Sequence, residues 1–297
     1  KPGTVLDFSS LGFIDAPAGK YGRVVVRGSH FEFENRPGVP VRFYGTNIYG
    51  HINFSDRAGA ERLASMLARY GYNIPMKKNG GAQTLLHGII LAMLDDASNP
   101  ESGFTDLDPE KLDALNYLVK CLKDRGIYLL LDLHTTRLGL LKKRGQSILY
   151  EESERSGYIW TLHLRWMYAP NRSGCPHSRT NSGSASWKPY STRSYEEECR
   201  RNWEKFSANL LNSVNPHTGI AWKDEPAMIG ICPVNENSPF FFMGISGDLN
   251  SPYFRVPAGL SPDEKKRRIA KSVVESQKKY YPEICGFLRG LGVRAPL

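Results

Sequence analysis

The chain has 297 residues and a mass of 33.4 kDa, enough to bury a sizeable core without disulfide or metal staples. Apolar residues at 40% and charged residues at 23% exclude wholesale disorder, and no apolar run approaches the roughly 18 residues of a membrane span. The net charge of +9 is uneven: residues 138–194 hold nine Lys/Arg against three Asp/Glu, residues 74–94 hold Lys77 and Lys78 with no acid, and no nucleic-acid-binding motif accompanies either segment, so no nucleic-acid partner is expected.

The chain starts Lys1-Pro2-Gly3-Thr4, without the apolar stretch of an export signal. Arg23-Val-Val-Val-Arg27 and His30-Phe-Glu-Phe-Glu34 flank Gly28-Ser29, which predicts a hairpin, and Arg36-Pro-Gly38 predicts a second turn. Residues 1–40 are therefore expected to be a β-hairpin segment packed on a larger domain at 41–297. That domain opens with a strand, Val41-Arg-Phe-Tyr-Gly-Thr-Asn47, ending in polar residues. Asp56 then caps a helix whose expected apolar face is Leu63, Met66, Leu67 and Tyr70, closed by Gly71, and Tyr72 to Met76 resumes an extended segment.

The next helix has Asp108 as its N-cap, Pro109 in first position and Leu112, Leu115, Leu118, Val119 and Leu122 as its stripe. Gly126 ends it. Ile127 to His134 is nearly continuous apolar sequence, as a parallel strand covered on both faces requires. A helix through Asn202-Trp203 to Val214 leads to a second buried strand at Met228–Val234. Ser261-Pro-Asp-Glu264 is a capping box that starts a long helix, and Val293-Arg-Ala295 is expected to be a last short strand.

Strand–helix alternation with glycine at the helix exits predicts βα units around a parallel sheet. Five strands and four helices can be counted, fewer than a closed (β/α)₈ barrel needs. The expected fold is α/β, an incomplete TIM-barrel type of about five strands with long loops at 74–105 and 138–194. Residues 138–194 contain ten serines and follow neither a strand nor a helix period. A large mobile loop, a stretch read in a shifted frame and a basic binding loop are the readings open for them. Five scattered cysteines (Cys121, Cys175, Cys199, Cys232, Cys285) with no CxxC pair argue against a disulfide framework and a structural zinc site. Cys175-Pro-His177 with Cys199 fits no common metal spacing. Lys265 to Arg268 is expected to be the solvated face of its helix.

The strongest chemical signal is Ala227-Met-Ile-Gly-Ile-Cys-Pro-Val-Asn235-Glu236-Asn237. An apolar strand ends abruptly in Asn-Glu, where a barrel displays its catalytic groups. A carboxylate held at a dry strand end keeps its proton to higher pH, which suits a general acid. Phe240-Phe-Phe242 follows, and two readings stand equally for it: a wall for stacking on sugar C–H surfaces and plain loop packing. Asp132 shares strand parity with His134; structural hydrogen bonding is its first reading and an orienting group the second.

Together, Arg42-Phe-Tyr-Gly-Thr-Asn47, Leu131-Asp-Leu-His134 and Val234-Asn-Glu236 resemble clan A glycoside hydrolases, most closely cellulase-like family 5. Ala60-Glu-Arg-Leu-Ala64, Arg69-Tyr-Gly-Tyr-Asn73, Leu107-Asp-Pro-Glu-Lys-Leu-Asp113 and Asn202-Trp203 extend the resemblance, which covers about residues 5–73, 105–137 and 196–297. It implies a (β/α)₈ barrel hydrolysing β-linked glycans with retention, without metal or organic cofactor, and a secreted or periplasmic location. By that pattern Glu236 is the acid/base, Asn235 positions the substrate 2-hydroxyl, and His134 and Asn47 line the pocket. The expected partner is an oligo- or polysaccharide, with no nucleic acid and no membrane. Retention needs a second carboxylate roughly 5 to 5.5 Å from the first, and no residue of this chain matches the family's nucleophile at strand seven. Met76 stands where the family carries an Arg. Pro233 is expected to remove a ladder donor from a central strand.

Overall fold

The computed structural model describes residues 3–10, 15–43, 48, 50–71, 106–133, 192–233, 257 and 259–297. The first sheet is an antiparallel meander of β1 (Val24–Arg27), β2 (His30–Phe33) and β3 (Arg36–Val41). Arg27 pairs with His30 around Gly28-Ser29, the hairpin that the turn residues predict. The second turn is displaced. Phe33 pairs with Arg36 across Glu34-Asn35, so Arg36-Pro37-Gly38 belongs to a strand instead of a turn. Pro37 is tolerated because β3 is an edge strand, where a missing donor breaks no inner ladder.

The parallel strand expected at 41–47 does not begin at Val41. Val41 pairs with Phe31 and ends the meander, Arg42 and Phe43 lie outside any strand, and Tyr44–Asn47 fall outside the described residues. Helix α1 (Arg57–Arg69) follows. The Asp56 carboxylate accepts the Gly59 N–H at 2.6 Å, the cap its side chain predicts. Its buried face is Ala60, Ala64 and Leu67, whereas Met66 and Tyr70 are exposed. The expected stripe was rotated because small alanines, which carry little hydropathy, allow the closest approach to the next helix.

Helix α2 (Pro109–Asp124) is capped by Asp108, which accepts from the N–H groups of Glu110 and Lys111. Leu115, Leu118, Val119 and Leu122 are buried and Leu112 packs beside them. Gly126, at φ 75°, ends α2 in a Schellman turn: Ile127 N–H donates to Leu122 O and Gly126 N–H to Lys123 O, both at 3.0 Å. The long helix α4 (Pro262–Gly290) closes identically at Gly292, and its start is the expected capping box between Ser261 and Glu264. Lys266, Arg267 and Arg268 of its first turns are exposed.

Strand β4 (Leu129–Asp132) lies parallel to β7 (Met228–Cys232), as the βα alternation predicts. Between them in sequence come α3 (Thr192–Asn212), which ends before the expected Val214, and a small hairpin, β5 (Val214–Asn215) with β6 (Ile220–Ala221), not expected from the sequence. Residues 192–194 of the aperiodic basic segment are the first turn of α3; residues 138–191 lie outside the described residues. Leu129, Leu131, Leu133, Met228 and Ile231 pack against α1, α2, α3 and α4 in one core, whose largest fully buried side chains are Trp203, Phe206, Leu115 and Leu118.

Val293 to Ala295 is not a strand, yet the chain there runs along the edge of β7 away from β4, which no described strand occupies. Ile231 N–H donates to Pro296 O at 2.8 Å, and the Arg289 guanidinium holds the carbonyls of Val293 and Ala295, each at 2.7 Å. Among the described residues no closed barrel forms; the parallel sheet is this pair with the C-terminal segment on its flank.

That flank is tight. A Cβ at Gly230 would lie 2.9 Å from Leu130 Cδ1 and 3.3 Å from Pro296 O. Gly230→Ala should therefore destabilise the chain by about 1–3 kcal/mol, the usual cost of overpacking. Urea titration checks it, and an unchanged midpoint would mean that this layer has slack.

Candidate active site

The four candidate residues, Asn47, His134, Asn235 and Glu236, all lie outside the described residues, as do Met76 and Phe240-Phe-Phe242. The structure does describe the backbone that delivers two of the motifs. Asp132 is the register partner of Cys232, and Leu133 N–H donates to Cys232 O at 2.9 Å, so β4 and β7 finish level. His134 is the next residue after the first strand's described end; Asn235 and Glu236 come two and three residues after Pro233. Pro233 itself follows the last ladder residue, so β7 loses no hydrogen bond to it, contrary to the expectation of a proline inside the strand.

The two faces of the pair differ. Leu129, Leu131 and Leu133 point to the helices, and alternation places Tyr128, Leu130 and Asp132 on the opposite face. On β7 the register slips: Leu129 pairs with Met228 but Leu130 with Gly230, leaving Ile229 as an extra residue. This bulge sends Ile229 to the face away from the helices and returns Ile231 to the helical core.

The meander closes the lower end of that inner face. Phe33 stacks on Tyr128 at 5.4 Å, Phe43 meets the same ring edge-on at 5.6 Å, and Val24, Ala18 and Ala227 complete the cluster. The first motif, from Arg42, thus enters the molecule against the foot of β4. The loop before the meander is pinned by Ala18 N–H donating to Lys123 O at 2.8 Å and Gly19 N–H donating to Tyr128 Oη at 3.1 Å. At Gly19, φ is +85° and a Cβ would sit 2.8 Å from Pro226 Cγ, so only glycine fits. Burial pushes the Tyr128 hydroxyl's pKa up, keeping it neutral.

Above this floor come Leu130 opposite Gly230, then Asp132 opposite Cys232. Asp132 is fully buried and engaged with a partner; Cys232 is half-buried and in no disulfide. The inner face thus carries layered side chains within the strands and polar groups at their described C-terminal ends.

The sequence reading missed the polar groups that hold the helices. Trp222 Nε1 donates to Asn116 Oδ1 at 2.8 Å, and Asn215 Nδ2 donates to Asn116 O at 2.9 Å, both buried. His217 of the small hairpin lies 2.7 Å from Asp113, which also accepts from Arg57 at 2.6 Å. Lys123 pairs with buried Glu225 at 2.7 Å, and the same carboxylate oxygen accepts Ala227 N–H at 2.9 Å at the foot of β7. Only Asn116, lying inside an apolar stripe, left a trace in the sequence. Among the described residues no group of three or more His, Cys, Asp or Glu could hold a metal, and no helix is long and apolar enough to cross a membrane.

No protein-family model and no curated relative matches the chain. Among solved structures it is similar to an endo-1,4-beta-mannanase from Rhizomucor miehei, at TM-score 0.42 and 17% identity over 72% of this chain and 48% of that one. It is similar to a glycoside hydrolase family 5 mannosidase from the same organism, at TM-score 0.42 and 12% identity over 73% and 49%. An endo-beta-1,4-mannanase from Thermotoga petrophila matches at TM-score 0.28 and 15% identity over 65% and 34%. The chain spans about half the length of the first two.

Two predictions follow from the charges. Lys123→Met leaves Glu225 buried without its counterion and should cost about 3–5 kcal/mol in chemical unfolding; a loss below 1 kcal/mol would mean that water reaches Glu225. The Arg125 guanidinium, with the Tyr117 hydroxyl, holds the Glu61 carboxyl below its usual pKa. A depressed folded-state pKa contributes stability above the unfolded value and loses it as pH falls through the folded one. Glu61→Gln should flatten the acid limb of a melting-temperature profile below about pH 5; an acid limb parallel to the parent's would assign that sensitivity to other carboxylates.

Proposed function

We propose that this chain carries part of a cellulase-like glycoside hydrolase barrel acting on β-linked glycans by a retaining, two-carboxylate mechanism. The observation that supports the reading most directly is the level, parallel ending of β4 and β7, which His134 and Asn235-Glu236 follow in the sequence within two to four residues. In this reading Glu236 gives its proton to the glycosidic oxygen while a carboxylate attacks C1, forming a C1–O ester bond as the leaving-group bond breaks. Water then displaces the carboxylate and returns a proton to Glu236. Asn235 holds the sugar 2-hydroxyl, and His134 and Asn47 line the pocket. The nucleophile has no counterpart among residues 1–297, so the isolated chain is expected to be inactive or nearly so. The alternative is a carbohydrate-binding relic, or a fragment without activity, and the missing nucleophile is what favours it.

Titration with β-1,4-linked gluco- and manno-oligosaccharides, alongside a hydrolysis assay, separates these readings. Turnover supports the enzyme, binding alone the relic, and neither the inactive fragment. If turnover is seen, Glu236→Ala should impair cleavage of poor leaving groups far more than good ones, because only the former need protonation. Azide should restore cleavage of the good leaving group. Equal loss on both, with no rescue, would move the acid role elsewhere. A fluoro-sugar that traps the glycosyl-enzyme should label nothing in the isolated chain; stoichiometric labelling of a carboxylate within it, located by peptide mass mapping, would overturn that expectation.

A further inference from the structure

We propose that Arg289 caps the outer flank of the parallel pair and so closes it to strand addition by a second copy of the chain. Among the described residues no strand pairs with β7 on the side away from β4, and a sheet edge of that kind is a template for pairing with another chain. Ile231 N–H points to that side, where Pro296 O accepts it at 2.8 Å. Pro296 has no N–H to return, so the segment covers β7 without completing a ladder. It lies flush against the strand, with Pro296 O only 3.3 Å from where a Cβ of Gly230 would stand. Arg289, in the last turn of α4, donates from one guanidinium nitrogen to Val293 O and Ala295 O, each at 2.7 Å. Carbonyls spaced two residues apart are what the N–H groups of an incoming strand would pair with, and here a cation already holds both. Val293 and Ala295 are buried, and Arg294 between them reaches Glu34, just past β2, at 3.1 Å, so the segment is fastened to α4, to β7 and to the meander. A partner strand would have to displace a charged donor from two carbonyls, which is how charge at an edge prevents edge-to-edge pairing. The partner excluded is a second copy, because every copy offers the same edge and a two-fold axis brings like to like.

Amide exchange and sedimentation of the full chain test the cap. Arg289→Met keeps the aliphatic length of the side chain and removes its donors. The parent should sediment as a monomer with a slowly exchanging Ile231 amide. In dilute Arg289→Met that amide should exchange about tenfold faster, the effect of losing hydrogen bonds from a charged donor. The Leu133 amide, which bonds to Cys232 O inside the pair, should keep its rate. As its concentration rises the variant should dimerise, and the Ile231 amide should slow again as the partner's edge covers it. Arg289→Lys, which keeps a charge and donors, should dimerise less than Arg289→Met. An unchanged Ile231 rate, a variant that stays monomeric at every concentration, or a dimer in which the Ile231 amide stays fast would each overturn the proposal. So would equal acceleration of Ile231 and Leu133, which would mean that the substitution loosens the whole core. Should Arg289→Met not fold, Arg289→Lys carries the same comparison at smaller amplitude.

Discussion

Four residues of β4 run parallel to β7, and much of the surrounding structure serves to keep that strip of backbone dry on both faces. A parallel pair cannot be joined by a tight turn, so its strands are separated by about a hundred residues and must be brought together by packing. The helical face is covered by α1, α2, α3 and α4, with Trp203, Phe206, Leu115 and Leu118 as its most deeply buried members. The opposite face is floored by the aromatic cluster of Phe33, Phe43 and Tyr128. Each covering closes one route by which water could compete for the ladder hydrogen bonds.

Covering the foot of the pair requires polar chemistry as well as apolar area. The strands begin where α2 ends and where the 222–227 turn delivers β7, and both places leave backbone groups needing partners. Lys123 O is met by Ala18 N–H, Ala227 N–H by Glu225, and Glu225 by Lys123. The meander is thus tied to the parallel pair by hydrogen bonds at its entry loop as well as by stacking. Its bulged neighbour Ile229 joins the same cluster, so a slip of one residue in β7 serves both faces.

At the other end of the pair the two strands stand level at Asp132 and Cys232. Asp132 is the last described polar group on that inner face, and its burial sets it apart from the exposed acids of the helical layer.

Helix termini were legible in the sequence because their signals are local: Asp56, Asp108 and the Ser261–Glu264 box cap within three residues, and Gly71, Gly126 and Gly292 adopt positive φ two residues past the end of each helix. The parallel pair was legible too, since continuous apolar runs with level polar exits fit few other arrangements. The true buried face of α1, the displaced turn at Glu34-Asn35, the loss of Val41 to an antiparallel strand, and the Asn116–Trp222 and Lys123–Glu225 contacts were not. Each of these is decided by what lies across a gap in space from residues distant in the chain. A side chain's rank in hydropathy says that it prefers burial, but only the neighbour it meets determines whether Ala60 or Met66 is the residue that fits.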